Sequence, residues 1–344
     1  MEIHLTLCHQ FLPKYLIMIL LLYLAKVIFS NNMENQGENY FLQFLKLLSS
    51  ALVGGTLFFA LSALVVIPVY GLDSLLTNGI SGSLSDKNFI GALKLMQLFN
   101  SVGLFIAAPL VFTWWTKANT RQYLSLEKNP KSLNFILVPI LMIVSMPVIN
   151  WMAEINQQME LPEFLSSMEN WMKTKEEEAS LITEAFLIMD SIGSLFYNLL
   201  LIAIIPAIGE ELLFRGTLQQ LLSKWTKNIH IAIWISAILF SAMHGQFYGF
   251  FPRMLLGSMF GYLLLWSGSL WVPILAHFIN NGAAIIIAYF IGSDVLTSQA
   301  DTFGADQNTL VFTIPAMVIG ISLLWTLKKL NQSNTNWTNE ISNP

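Results

Sequence analysis

The chain has 344 residues, 55% of them hydrophobic and only 11% charged, with a mean hydropathy of +0.60. That composition excludes an ordinary water-soluble globular protein and calls for a lipid environment. The net charge of −4 and the scattered basic residues offer no electrostatic track, so no nucleic-acid partner is expected, and the single cysteine, Cys8, excludes an internal disulfide and argues against a structural zinc cluster.

Crossing the hydrocarbon core takes about 20 apolar residues. Runs of that kind lie at 47–70, 96–115, 134–152, 194–218, 229–251, 252–268, 270–291 and 309–327. The predicted fold class is therefore all-α, a polytopic transmembrane helical bundle of about eight spans with a catalytic cavity within the bilayer. Upstream, Tyr15 to Phe29 is apolar but short and carries Lys26. It reads as a ninth span, an uncleaved signal anchor, or sequence preceding a start at Met33. Trp114, Trp115, Trp151, Trp266, Trp271 and Trp325 fall near span ends, where amphipathic rings suit the interface.

Lys117, Arg121, Lys128 and Lys131 crowd one loop, Lys224 and Lys227 a second, and Lys328 and Lys329 the tail, which places all three on the cytoplasmic side. The loops at 152–191 and 292–308 then face outward and are acidic, the first with Glu176, Glu177 and Glu178, the second with Asp294, Asp301 and Asp306. Leu161, Phe164, Leu165, Met168, Trp171 and Met172 are spaced for an amphipathic helix that lies on the membrane or caps the bundle, or for a solvated connector with a helical turn or two. The chain divides into an N-terminal extension at 1–32, N-terminal spans and the acidic outer loop at 33–191, a catalytic core at 192–295, a last span at 296–330, and a disordered tail at 331–344.

Three polar islands interrupt the spans: Glu210-Glu211 with Arg215, Phe240 with His244, and His277 with Asn281. Ionisable groups in lipid are costly and are retained mostly for function. Glu211 and Arg215, four apart, share a helix face and can pair. Glu210 points about 100° away from that pair. Pro206, one turn earlier, removes a backbone hydrogen bond and is expected to kink the helix near Glu210. By depth, Glu210, His244 and His277 are expected to meet in one cavity, with Gly209, Gly216, Gly245, Gly257, Gly261 and Gly282 allowing close packing around it. Arg253 is expected near an outer interface, where it can snorkel.

Hydrolysis of an amide needs a base for water and donors for the developing oxyanion. Glu210 with His244 can provide the first, and His277 with Asn281 the second. Glu210, His244 and His277 also form a carboxylate and two-imidazole set of the kind that holds a divalent metal such as zinc with an open position for water, and the residues do not choose between the two. H-E-x-x-H, G-x-G-D and G-x-S-G motifs are absent, which disfavours other intramembrane protease classes.

The ordered motifs E-E-x-x-x-R, F-x-x-x-H and H-x-x-x-N resemble those of the CPBP family, the CAAX protease and bacteriocin-processing membrane proteins also called Abi, across roughly residues 192 to 295. Its eukaryotic relatives are prenyl endopeptidases that trim the last three residues after prenylation; bacterial ones include lysostaphin resistance protein A-like proteins. The resemblance implies an intramembrane endopeptidase in which Glu210 and His244 activate water, His277 and Asn281 hold the oxyanion, and Glu211, Arg215 and Phe240 support the site; the preferred reading requires no metal, and the alternative is a divalent metal such as zinc on Glu210, His244 and His277. The expected partners are a peptide or membrane-protein substrate and the lipid bilayer, and the expected location a bacterial inner membrane. The alternatives are a non-enzymatic immunity or scaffold protein and a proton-coupled transporter.

Overall fold

The computed structural model describes residues 39–71, 84, 86–292 and 310–331. The apolar stretch from Tyr15 to Phe29, Cys8, the acidic loop at 292–308 beyond Gly292, and the tail after Asn331 lie outside the described residues.

Every regular element among the described residues is helical: α1 Tyr40–Tyr70, α2 Lys87–Trp115, α3 Asn134–Gln157, α4 Ser166–Leu187, α5 Ile192–Thr226, α6 Ile229–Ala242, α7 Phe250–Ser267, α8 Trp271–Ile291 and α9 Thr313–Asn331. Each of the eight expected spans overlaps one of these helices in chain order, α4 excepted, although the helix at 229–251 stops at Ala242. Six helices are long and apolar enough to cross a membrane: α1, α2, α3, α5, α8 and Leu310–Asn331, which contains α9. Of the other two, α6 has 14 residues and α7 has 18, its first turn carrying Arg253. Large apolar side chains point outward along the long helices, Leu64 at 71% exposure and Ile314 at 72%. Such surface is stable only against lipid, and this is an integral, multi-pass membrane protein.

The helix α5 is the hub, packing on α2 through its middle, on α8 through its first half and on α6 through its last turns; α6 packs on α7, and α3 on α7, α8 and α9. Three stretches of wider, π-type turns interrupt the long helices, Val102–Ala107 in α2, Leu199–Ile204 and Phe214–Leu218 in α5. Such turns cluster at functional sites because they re-aim side chains and carbonyls. The second precedes Pro206, which cannot donate a backbone bond.

Small residues set the closest approaches. A Cβ on Gly103 would collide with the Gly54 carbonyl and lie 2.6 Å from Phe58 Cβ, so α1 and α2 cross backbone to backbone. Overpacking costs about 1–3 kcal/mol, and Gly103→Ala is expected to lower stability by that much. Chemical denaturation in detergent checks it, with Gly193→Ala, whose nearest neighbour would be 3.8 Å away, as the control expected to leave the midpoint in place.

Candidate active site

The third π-type stretch, Phe214–Leu218, contains Arg215, whose side chain is fully buried. Its Nη1 donates to Glu211 Oε1 at 2.7 Å and its Nη2 to the Gly257 carbonyl at 2.9 Å. There is little room for a side chain there, since a Cβ on Gly257 would sit 3.0 Å from Arg215 Nη2 and 3.1 Å from Phe240. One turn on, Gly261 takes Gln219 in the same way, with a Cβ 2.7 Å from its Oε1. The Phe240 ring covers the guanidinium at 4.4 Å. Burying an ion pair is tolerable only with added hydrogen bonds of this kind, and here each partner has at least one more.

That further bond for Glu211 is His277: its Nδ1–H donates to the same Oε1 at 2.9 Å. The carboxylate thereby fixes the tautomer, and His277 Nε2 is directed at Glu210, 3.9 Å from Oε2. Phe260 stacks on the imidazole with centroids 5.3 Å apart, and Phe240 meets it edge-on at 6.0 Å. His277 is thus held on three sides, by Glu211, Phe260 and Phe240, while Nε2 faces the second carboxylate. Neutral, that nitrogen accepts a proton; as imidazolium it donates an N–H.

Asn281 lies one turn along α8, and its Nδ2 donates to the Ile202 carbonyl at 3.0 Å while its Oδ1 accepts from Asn280 at 3.1 Å. Ile202 is four residues before Pro206, so its carbonyl is the one an ordinary helix would pair with residue 206. Ahead of Pro206 the helix widens into the π-type turn, and one Asn281 N–H takes the carbonyl, leaving the amide's other hydrogen for a further acceptor.

His244 departs most from the sequence expectation. The span at 229–251 does not run through: α6 stops at Ala242, and 243–249 form a loop that reverses at Gly245, φ +66°. His244 keeps its link to Phe240 across that helix end, Nδ1 with the Phe240 carbonyl at 2.9 Å and rings 5.2 Å apart. Phe240 therefore touches His244, His277 and Arg215 together. Gly209, Gly216, Gly257 and Gly261 pack tightly as expected, whereas Gly245 serves the loop reversal and Gly282 makes only ordinary contacts near 3.8 Å.

Four groups outside the motifs make buried contacts, two of them at the site and two elsewhere in the bundle. Phe260 and the Gly257 carbonyl carry no charge to mark them. Lys94 escaped the sequence reading because the span was started at residue 96, whereas α2 begins at Lys87; it is 8% exposed and donates to Asn198 Oδ1 at 3.0 Å. An amine inside an apolar run was the available sign. Asn156 was assigned to a loop. Arg253, expected to snorkel, instead donates to the Gln246 carbonyl at 3.2 Å. Among the described residues no group of three His, Cys, Asp or Glu is arranged to hold a metal ion.

Residues 192–283 match the family described as type II CAAX prenyl endopeptidase Rce1-like. This stretch holds all three motifs, and the CPBP resemblance is borne out across it. The uncharacterized protein YpbD of Bacillus subtilis (strain 168) is 30% identical over 86 residues, 24% of this chain. The chain spans 41% of that curated relative's length. No solved structure matches.

Proposed function

We propose that this chain is a CAAX-protease-like intramembrane endopeptidase with Glu210 as the general base. The observation that carries the reading is the pairing of two carboxylates on one imidazole: Glu211, neutralised by Arg215, holds His277 Nδ1, and Glu210 faces Nε2 from 3.9 Å. Two adjacent carboxyls with opposite surroundings are a common way to divide structural from proton-transfer work.

In this scheme Glu210 takes a proton from water as the hydroxide forms its bond to the scissile carbonyl carbon. The resulting oxyanion accepts from His277 Nε2–H, in its imidazolium form, and from the second N–H of Asn281. As the C–N bond breaks, Glu210 returns its proton to the leaving amine, which balances the hydrolysis. His244 borders the same space through Phe240 and assists the water. No step is routed through a metal. The substrate is a peptide or membrane-protein segment reached from the bilayer, and the proposed location is a bacterial inner membrane.

Purified protein in detergent, offered membrane-tethered peptides and read by mass spectrometry, is expected to cleave equally with and without a strong chelator and to contain metal well below one equivalent. Activity lost to the chelator and restored by zinc would move the chemistry to a metal. A folded protein that cleaves nothing would favour the immunity or scaffold role.

A further inference from the structure

The loop at 243–249 hangs His244 on a short stalk: beyond the end of α6, His244 is tied to its own helix by its N–H to the Ser241 carbonyl at 3.2 Å and by Nδ1 to Phe240 at 2.9 Å. Gly245 follows in the left-handed region, where the chain bends most readily. Holding an imidazole to the tolerance catalysis needs requires that the far side of such a loop be fixed.

Asn156 does this from α3. It is 5% exposed, its Nδ2 donates to the Phe247 carbonyl at 3.1 Å, and its Oδ1 accepts from the Phe251 N–H at 2.9 Å. A single amide thus bridges the loop and the opening turn of α7, using donor and acceptor together. The Phe251 N–H belongs to the first turn of α7, where helix donors have no partner within the helix. Other contacts help hold the same segment: Ser241 Oγ at the end of α6 donates to the Phe250 carbonyl at 2.6 Å, Arg253 Nη1 donates to the Gln246 carbonyl at 3.2 Å, and from α4 Glu176 accepts from Gln246 Nε2 at 3.4 Å and from the Tyr248 N–H at 3.3 Å, while Trp171 meets Phe247 at 5.5 Å; Asn156 alone joins the loop and α7 to α3 among these.

We propose that Asn156, outside the stretch matched by the family, is a positioning residue that fixes the 243–249 loop and through it His244. The catalytic consequence rests on the hydrolytic reading above; the structural one does not. Leucine fills a similar volume with neither donor nor acceptor, and aspartate keeps the acceptor for Phe251 while losing the donor to Phe247.

Hydrogen exchange on the full-length protein in detergent tests the structural claim. Amides of 246–251 are expected to exchange at least about tenfold faster in Asn156→Leu and to an intermediate degree in Asn156→Asp, with α8 amides around His277 unchanged. Asn134→Leu, at the other end of α3, is expected to leave the loop's exchange at wild-type level. On a peptide the wild type cleaves, kcat should fall about 10- to 100-fold in Asn156→Leu with KM nearly constant, and Asn156→Asp should recover part of it. Unchanged loop exchange overturns the proposal, as does faster exchange with undiminished kcat. A wild type that cleaves nothing sinks the hydrolytic reading alone, because the exchange result still decides whether Asn156 holds the loop.

Discussion

Glu210→Gln is expected to lower kcat for peptide cleavage by about 10²- to 10⁴-fold, the range spanned by loss of a general base. The substitution keeps volume and shape and removes only basicity. Its structural cost should be small, because Glu210 lies outside the Glu211–Arg215 pair and its side chain retains 13% exposure. KM should barely move, since the carboxylate's work is done on water rather than on the peptide. The contrast that makes this sharp is with its neighbour. Glu211→Gln would leave Arg215, fully buried, facing a neutral amide and would loosen the His277 tautomer, so it should lose activity and stability together. Steady-state kinetics beside a thermal melt for each variant separates the two residues; a Glu210→Gln enzyme within tenfold of wild type would remove Glu210 from the base role.

The motif residues were legible for a simple physical reason: charge is so expensive in an apolar span that Glu210, Glu211, Arg215 and His277 stand out against their surroundings. The pairing of Glu211 with Arg215 followed from helical spacing, and the structure places it there at 2.7 Å. Spacing failed where the helix itself departs from 3.6 residues per turn. The wider turn at Leu199–Ile204 lies in an unbroken apolar run and leaves no mark in the composition, whereas the end of α6 at Ala242 is followed by His244, Gly245, Gln246 and Gly249, a sign that a span drawn at 229–251 passes over. The result is that His244, placed by spacing in mid-span, stands on a loop. Contacts between distant segments, such as Asn156 with Phe247 or Asn281 with Ile202, depend on packing that composition does not encode. The outer amphipathic stretch reads from its spacing as a helix on the membrane or capping the bundle, or as a solvated connector; the structure has the helix α4, which reaches the 243–249 loop through Trp171 and Glu176 while Phe164 stays 83% exposed.

Arg215→Met is expected to destabilise the protein by roughly 3–5 kcal/mol, because removing one member of a buried pair strands the other as an uncompensated charge. Glu211 Oε1 accepts from both Arg215 and His277, and Glu211 Oε2 has no hydrogen-bond partner among the described residues, so among them the orphaned carboxylate would depend on His277. The double variant Arg215→Met with Glu211→Leu should lose much less than the sum of the two single losses, since it deletes both charges at once and fills the space with apolar volume between Phe240 and Phe260. Activity should behave oppositely. With Glu211 gone, His277 loses the acceptor that holds its Nδ1–H, Nε2 is no longer directed at Glu210, and cleavage should stay lost however well the double variant folds. Unfolding midpoints and kcat measured on all three variants decide it. Additive stability losses would show that the pair is not coupled in the folded protein, and a double variant recovering activity along with stability would show that Glu211 and Arg215 serve only to hold the helices together.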